Sequence, residues 1–264
     1  MTLEREISKS QLIAEPNTII RTVVGSTVHG LAIEGTDDRD EMGVCLEPPD
    51  YVIGLNHFEQ WVYRDKPVGV RSEPGDLDLT IYSARKYARL LVGGNPSIIL
   101  LLFVPEEFTI VETFFGKSLR VFGREWLSRK AGYAFLGYLT AQKERLVGER
   151  GQKRVNRPEL VEKYGYDTKY AGHVIRLGYQ GIELMQTGKI SLPMRERERN
   201  YVREVREGKV DLNEVLTFAG ILENELKNAI EHSILPPESN MDEVNLWLHN
   251  AYELHWESLT ETSI

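Results

Sequence analysis

Cysteine is almost absent from this sequence, which has one, Cys45, in 264 residues. A single cysteine excludes a disulfide framework, and no Cys/His spacing suits a structural zinc site, so we expect a reducing compartment. No apolar run approaches the roughly 20 residues that a membrane span needs. The first ten residues are too charged for a signal peptide. These absences predict a cytoplasmic protein that makes no membrane contact.

An excess of positive charge is also missing. The chain has 40 acidic and 32 basic residues and a net charge of -8. This balance argues against wholesale coating of nucleic acid but allows a local basic patch. Hydrophobic residues make up 41% of the chain, enough to bury the core of one large or two small domains.

The pattern of the chain changes near residue 112, from short β-rich runs to long amphipathic helices. We expect an α+β fold, with an N-terminal domain at residues 1–111 and a C-terminal helical domain at residues 112–264. Predicted strands cover residues 18–24, 41–46, 58–64 and 76–82. Ser83 is the predicted N-cap of a helix at residues 84–92. Predicted helices of the second part cover residues 113–129, 133–147, 168–186, 212–232 and 241–259.

Carboxylates follow the first predicted strand. That strand stops at Gly25 and Ser26, where a small corner lets backbone N–H groups and a hydroxyl approach a phosphate. Asp38 and Asp40 come next, and residues two apart in an extended segment point to the same side. Two converging carboxylates suit Mg²⁺. An ordinary solvated turn explains the same residues when they are taken alone.

A third carboxylate, Asp78, lies on the polar face of the fourth predicted strand. If that strand pairs beside the segment of Asp38 and Asp40, the three side chains complete a two-metal site for phosphoryl displacement. The alternative is a solvated strand face. The ordered combination of all three elements favours the functional interpretation.

The ordered motifs resemble the DNA polymerase β-like nucleotidyltransferase superfamily, and most closely its RNA-repair-associated, RlaP-like branch. The resemblance covers roughly residues 20 to 195. The motifs that carry it are GSTVHGL from Gly25, DRDEMGV from Asp38, DLTIYS from Asp78, Asn95-Pro96, KYGYDTK from Lys163, AGHVIRL from Ala171 and TGKISLP from Thr187.

The resemblance implies a small mixed sheet with helices and Mg²⁺-dependent transfer of a nucleoside monophosphate from an NTP to an acceptor hydroxyl. Gly25 and Ser26 would hold the triphosphate, and Asp38 and Asp40 the metals. Asp78 would bind the metal near the acceptor and help to deprotonate that acceptor. The chain departs from the family pattern at three positions, where the family often has other residues. At these positions this chain has His29, Asp37 and Met42, where the family often has an aromatic residue, a serine and an arginine, respectively.

The helical part contains a second candidate cluster. Lys169, His173 and Arg176 share one face of a predicted helix. The functional interpretation is a cationic surface that closes over the NTP phosphates or the acceptor and stabilises charge in the transition state. A solvated helix face with one satisfied histidine is the alternative, and the resemblance favours nucleotide binding.

Two other charged stretches are interpreted differently. Residues 142–157 are the most basic in the chain and could meet a nucleic-acid backbone, although a solvated surface explains such a cluster more simply. Residues 195–209 mix both signs evenly, which predicts a solvated helix with ion pairs.

The sequence therefore predicts a nucleotidyltransferase that uses Mg²⁺, with Mn²⁺ as an alternative, and an NTP. An RNA end is the expected acceptor, and the alternatives are a protein or a small molecule. A non-catalytic nucleotide- or RNA-binding protein of the same fold is the rival outside the enzyme class. The sequence specifies neither the preferred NTP nor the oligomeric state.

Overall fold

A five-stranded mixed sheet forms the centre of the N-terminal part of the described chain, in the order β3-β4-β2-β1-β5. The structure, a computed structural model, describes residues 8–33, 39–67, 70, 73, 75–148 and 157–261. The strands are β1 (Thr18–Val23), β2 (Arg39–Cys45), β3 (Gln60–Arg64), β4 (Leu77–Ser83) and β5 (Thr109–Glu112). The β2–β4 pair is parallel, and the other neighbours are antiparallel.

Short helices surround the sheet and longer ones follow it. Those of the N-terminal part are α1 (Lys9–Ala14), α2 (Gly25–Val28), α3 (Pro49–Val52), α4 (Ala84–Val92) and α5 (Pro96–Ile99). Those of the C-terminal part are α6 (Phe114–Glu125), α7 (Arg129–Val147), α8 (Pro158–Tyr164), α9 (Thr168–Thr187), α10 (Glu196–Arg206), α11 (Leu212–Glu231) and α12 (Met241–Glu261). Two short 3-10 helices lie between α5 and β5.

The predicted α+β class is confirmed, and the four predicted strands are present. The second strand begins at Arg39, two residues earlier than predicted, so Asp40 lies within it. The Ser83 side chain caps α4 by accepting from the Lys86 N–H at 3.1 Å, a cap that contributes about 1 kcal/mol. Strand β5 and helix α1 were missed, because an edge strand of four residues and a helix of six carry too little periodicity.

The two faces of the sheet have different surroundings. On one face, residues of β2, β3 and β4 pack with α1 in a small hydrophobic cluster. Cys45 belongs to this cluster, and burial raises the pKa of its thiol, so it packs as a small hydrophobic side chain. The alternate residues of β4, among them Asp78 and Thr80, face the other way and line a cavity. Period-two alternation therefore separates core from cleft within one strand.

The larger hydrophobic core runs through both parts of the chain. It joins Ile20 of β1 and Leu91 of α4 to Val174 of α9 and Leu226 of α11. Helix α12 returns to the sheet part, where the Tyr252 hydroxyl donates to the buried Glu47 carboxylate at 2.7 Å. The division into two domains at residue 112 stays a prediction. Within the described ranges no helix combines the length and apolarity that a membrane crossing requires.

Candidate active site

Two aspartates lie side by side on the sheet. Asp40 on β2 is the register partner of Asp78 on β4. Partnered residues of neighbouring parallel strands point to the same face, on backbones about 4.8 Å apart. Both line a cavity of about 270 Å³. The strands thus bring together two of the three predicted carboxylates, and the third, Asp38, lies outside the described residues.

The turn after β1 packs directly against one of these carboxylates. Gly25 has a φ of +69°, and a Cβ at this position would lie 2.2 Å from Asp40 Oδ2. The conformation and the close approach both require glycine. The Val24 N–H donates to the Asp40 carbonyl at 2.9 Å, which fixes the turn to the start of β2. Ser26 lines an adjoining cavity of about 200 Å³.

Glu41, the residue that follows Asp40 on β2, has a carboxylate that is already paired within the protein. Its side chain is 1% exposed and pairs with Arg21 at 2.5 Å and with Arg39 at 2.6 Å. Its charge is therefore compensated within the protein. Strand alternation points the side chains of Asp40 and Asp78 to the face of the sheet opposite to that of Glu41.

Helix α9 forms the opposite wall of the cleft and carries positive charge. Lys169, His173 and Arg176 line the second cavity together with Asp40 and the turn at residues 25 and 26. Their i, i+4, i+7 spacing places them along one side of the helix. The structure therefore brings the predicted helical cluster to the predicted phosphate turn.

Helix α10 adds a further cation that sequence analysis missed. Arg206 lines the second cavity and donates to the Leu31 carbonyl. A Cβ on Gly172 of α9 would lie 2.7 Å from Arg206 Cγ, so this glycine lets the two helices approach. The signal available in the sequence was the spacing of Arg199, Arg203 and Arg206, which places the three on one face of α10.

His29 links the phosphate turn to α9. Its side chain is 2% exposed. Its Nε2 is hydrogen-bonded to Arg176 Nη1, and its Nδ1 lies 3.2 Å from the Gln180 side-chain amide. Burial, followed by the positive charge of Arg176, lowers the pKa of His29 well below its ordinary value. His29 is therefore a neutral residue of the junction between the two walls.

The same environment shifts the other groups of the helical wall. Burial, with a smaller effect of Arg176, lowers the pKa of His173 to about 3. Burial and the nearby Arg206 lower the pKa of Arg176 to about 10. The hydrogen-bond partners of Arg176 are His29 and Gln180, and within the described ranges no carboxylate pairs with it. A charged guanidinium without a counter-charge favours binding of an anion beside it.

The far side of the first cavity is formed by β3 and by the region of α5. Arg64 is the register partner of Asp78 on β3, and its Nε lies 3.8 Å from Asp78 Oδ1. Tyr82 and Ser97 line the same cavity, and burial raises the pKa of the Tyr82 hydroxyl. The hairpin register, which the sequence did not specify, puts Arg64 beside the carboxylate.

The most basic stretch, residues 142–157, lies partly outside the described residues, since 149–156 are not described. At its edges, Lys143 pairs with Glu223, and Arg157 Nη1 lies 3.3 Å from Asp167 Oδ2. These two cations are compensated within the chain. Contact of this stretch with nucleic acid stays a prediction.

The predicted helix at residues 195–209 is present as α10, but it is not only a solvated face. Ion pairs occur at its ends, Arg195 with Glu183 at 2.8 Å and Lys209 with Glu207 at 2.5 Å. Between them, Arg203 donates to the Gly30 carbonyl at 2.6 Å. The helix therefore also holds the chain segment that follows the phosphate turn.

The carboxylate pair is the candidate place for a metal. In the part of the chain that the structure describes, no three His, Cys, Asp or Glu side chains are gathered closely enough to hold a metal ion. The donor set of Asp40 and Asp78 consists of oxygens, which suits Mg²⁺, because this ion takes one or two carboxylates and completes its shell with water and phosphate oxygens. The two residues present therefore fit the ion.

Comparison with known families identifies the chain. The model of the RlaP family, described as the RNA repair pathway DNA polymerase beta family, matches residues 2–250. The chain belongs to this family. The RlaP membership confirms the resemblance drawn from the motifs and indicates a nucleotidyltransferase-type function.

Two further comparisons add less. A nucleotidyltransferase-like protein from Exiguobacterium sibiricum 255-15 is similar over 83% of this chain and 70% of its own, with 13% identity and a TM-score of 0.31. A TM-score this low does not establish a shared fold or function with this RlaP-family chain. No curated protein matches it.

Proposed function

We propose that the chain is a Mg²⁺-dependent nucleotidyltransferase that moves a nucleoside monophosphate from an NTP to a hydroxyl at an RNA end. One observation carries the proposal. Asp40 and Asp78 lie in register on one wall, and across the cleft Arg176 has no carboxylate partner among the described residues. A metal–triphosphate complex supplies the cation that the first wall binds and the anion that the second wall binds.

Each wall has its own part in holding the substrate. Asp40 and Asp78 would hold the metal, with Asp38 as the third carboxylate that the resemblance implies. When bound, Mg²⁺ neutralises phosphate charge and aligns the reacting oxygens. The Gly25 turn offers backbone N–H groups and the Ser26 hydroxyl to the triphosphate. The cations of α9 lie on the opposite side of that turn.

The reaction makes one bond and breaks one. The acceptor oxygen attacks the α-phosphorus, and the bond to the bridging oxygen of the β-phosphate breaks. The hydroxyl proton passes to a carboxylate oxygen of Asp78, and pyrophosphate leaves. Arg176 and Lys169 stabilise the negative charge that accumulates on this leaving group. Positioning and electrostatics supply most of the rate in such a transfer.

The family description and two side chains that line the cleft support RNA as the acceptor. The family is associated with RNA repair. Asp78 faces the side of the cavity that Arg64 and Tyr82 line. A cation and an aromatic ring suit a phosphate and a base of a single strand.

Transfer of label from the α-phosphate tests the proposal. Each of the four NTPs, labelled at that position, is incubated with Mg²⁺ and separate pools of RNA and protein. We expect labelled RNA. Asp40→Asn and Asp78→Asn should each lower the rate at least about 1,000-fold, since a metal-binding carboxylate contributes several kcal/mol to the transition state.

Asp242→Asn is the matched control, because it removes one carboxylate from an exposed position on α12. It should keep the wild-type rate. If only protein is labelled, the acceptor is a protein rather than RNA, and the proposed reaction stands. Wild-type rates in Asp40→Asn would show that the site is wrong.

A further inference from the structure

The hydrogen bonds of His29 determine which ring nitrogen carries its proton. A guanidinium can only donate, so the Nε2 that meets Arg176 must accept. The proton of the neutral ring is then on Nδ1, which lies 3.2 Å from the Gln180 amide nitrogen. Rotation of that amide by 180° puts its oxygen in position to accept from Nδ1 and gives up the 3.5 Å contact of that oxygen with Arg176 Nη1. Both ring nitrogens are thereby engaged.

This arrangement excludes two other roles for His29. A metal ligand needs a free ring nitrogen, and so does a group that exchanges protons with substrate. His29 lines both cavities of the cleft but is only 2% exposed, so little of its ring is open to a substrate. The backbone is fixed as well, since the His29 carbonyl accepts from the Met194 N–H at 3.2 Å.

The contact with His29 orients Arg176 without cancelling its charge. An Asp or Glu in the place of His29 would hold the guanidinium equally well, but it would also compensate the positive charge. A neutral imidazole accepts one hydrogen bond and leaves that charge available. Arg176 lines both cavities of the cleft, so its charge acts at the place where they meet.

We propose that His29 is a positioning residue, which holds the Arg176 guanidinium towards the phosphate turn through a neutral hydrogen bond and so preserves its charge for a bound triphosphate. The inference rests on the proposed function, because it assigns a polyphosphate to the cleft. In this proposal His29 does not itself contact the substrate. The proposed role differs from ordinary packing because His29 acts through a single neighbour, Arg176.

Three substitutions separate these roles. His29→Gln keeps an acceptor near the position of Nε2, His29→Phe keeps the ring and removes the acceptor, and His29→Glu keeps an acceptor and adds a counter-charge. The measured quantity is the Kd of an α,β-methylene NTP in Mg²⁺, which binds without turnover. Circular dichroism and melting temperature report folding, and His249→Gln on the exposed side of α12 is the control.

We expect His29→Phe to raise Kd about 10- to 100-fold, the range for a hydrogen bond to a charged group. His29→Glu should raise it by a similar factor, and His29→Gln should stay within about threefold of wild type. In the Arg176→Met background, His29→Phe should change Kd less than about twofold, because the neighbour through which it acts is gone. In turnover experiments His29→Gln should largely keep the wild-type kcat, whereas His29→Phe should raise KM and lower kcat, because Arg176 both binds the triphosphate and stabilises the charge on the leaving group.

Several outcomes would overturn the inference. One is wild-type affinity in His29→Phe, and another is an undiminished effect of His29→Phe in the Arg176→Met background. If His29→Phe does not fold, the contrast between Gln and Glu answers the same question, and equal Kd values for those two variants would refute it. Failure of the proposed function is distinguishable, since the wild-type protein itself would then bind no NTP analogue.

Discussion

The two walls of the cleft carry opposite charges and obtain them in different ways. The sheet wall presents Asp40 and Asp78, which strand pairing places side by side. The helical wall presents Arg176 and its neighbours, which side-chain contacts with the sheet part hold in place. In the proposed function neither wall holds the substrate alone, and docking of α9 against the phosphate turn brings the two walls together.

The walls also differ in how their charges are balanced. On the sheet wall, Glu41 is compensated by two arginines, and Asp78 has Arg64 within 3.8 Å. On the helical wall, Arg176 meets only neutral partners among the described residues. In the proposed function the helical wall is therefore the one whose positive charge a bound anion balances.

After replacement of the aspartates themselves, the largest effect is expected at Gly25, where the missing Cβ leaves room for the Asp40 carboxylate. Gly25→Ala would place a Cβ 2.2 Å from Asp40 Oδ2 at a φ of +69°. The carboxylate must shift, so we expect transfer to fall about 100-fold or more and the free energy of unfolding to fall by about 1–3 kcal/mol. Label transfer and urea denaturation measure the two effects.

Gly75→Ala is the matched control for that substitution. Gly75 also has a positive φ, +88°, but nothing lies within 4 Å of its Cβ position. It should lose stability through backbone strain and keep the rate of transfer. Equal loss of activity in both variants would show that contact with Asp40 is not the cause.

A smaller effect, on the free energy of unfolding, is expected when the pH is lowered, and it comes from His173 on the helical wall. The pKa of His173 is lowered to about 3, whereas in the unfolded chain it is about 6.5. Between these values the unfolded state binds the proton and the folded state does not, so stability is lost as the pH falls below about 6.5. Each such histidine lowers the free energy of unfolding by up to about 1.4 kcal/mol per pH unit.

His29 and His255 also have lowered pKa values, with burial as the main cause, so they act in the same direction. Chemical denaturation between pH 4 and 7 measures the slope. His173→Gln should reduce it. A slope that His173→Gln does not alter would contradict this assignment.

The sheet wall was largely predictable from the sequence. Alternation along β4 put Asp78 and Thr80 on one face, and the Gly-Ser end of β1 marked the turn. Register was not predictable, because a turn-rich segment of twelve residues separates β3 from β4. For that reason Arg64 was missed, although it lies directly opposite Asp78.

The helical wall was only half predictable. Helical spacing put Lys169, His173 and Arg176 on one face, but a helix face does not reveal what it packs against. The contact of Arg176 with His29 joins residues 147 positions apart, and tertiary packing alone decides it. The same holds for Arg206, whose helix carries a balanced charge pattern in the sequence.

In the proposed function, both walls together hold a metal–triphosphate complex. Thermal stabilisation by an α,β-methylene NTP, with and without Mg²⁺, tests it most directly, because a ligand of the native state at 100 times its Kd adds about 2.7 kcal/mol of stability. The wild-type protein should be stabilised, Asp40→Asn should lose the Mg²⁺-dependent part, and Arg176→Met should lose the larger part in either condition. Equal stabilisation of all three proteins, or none of the wild type, would contradict the claim.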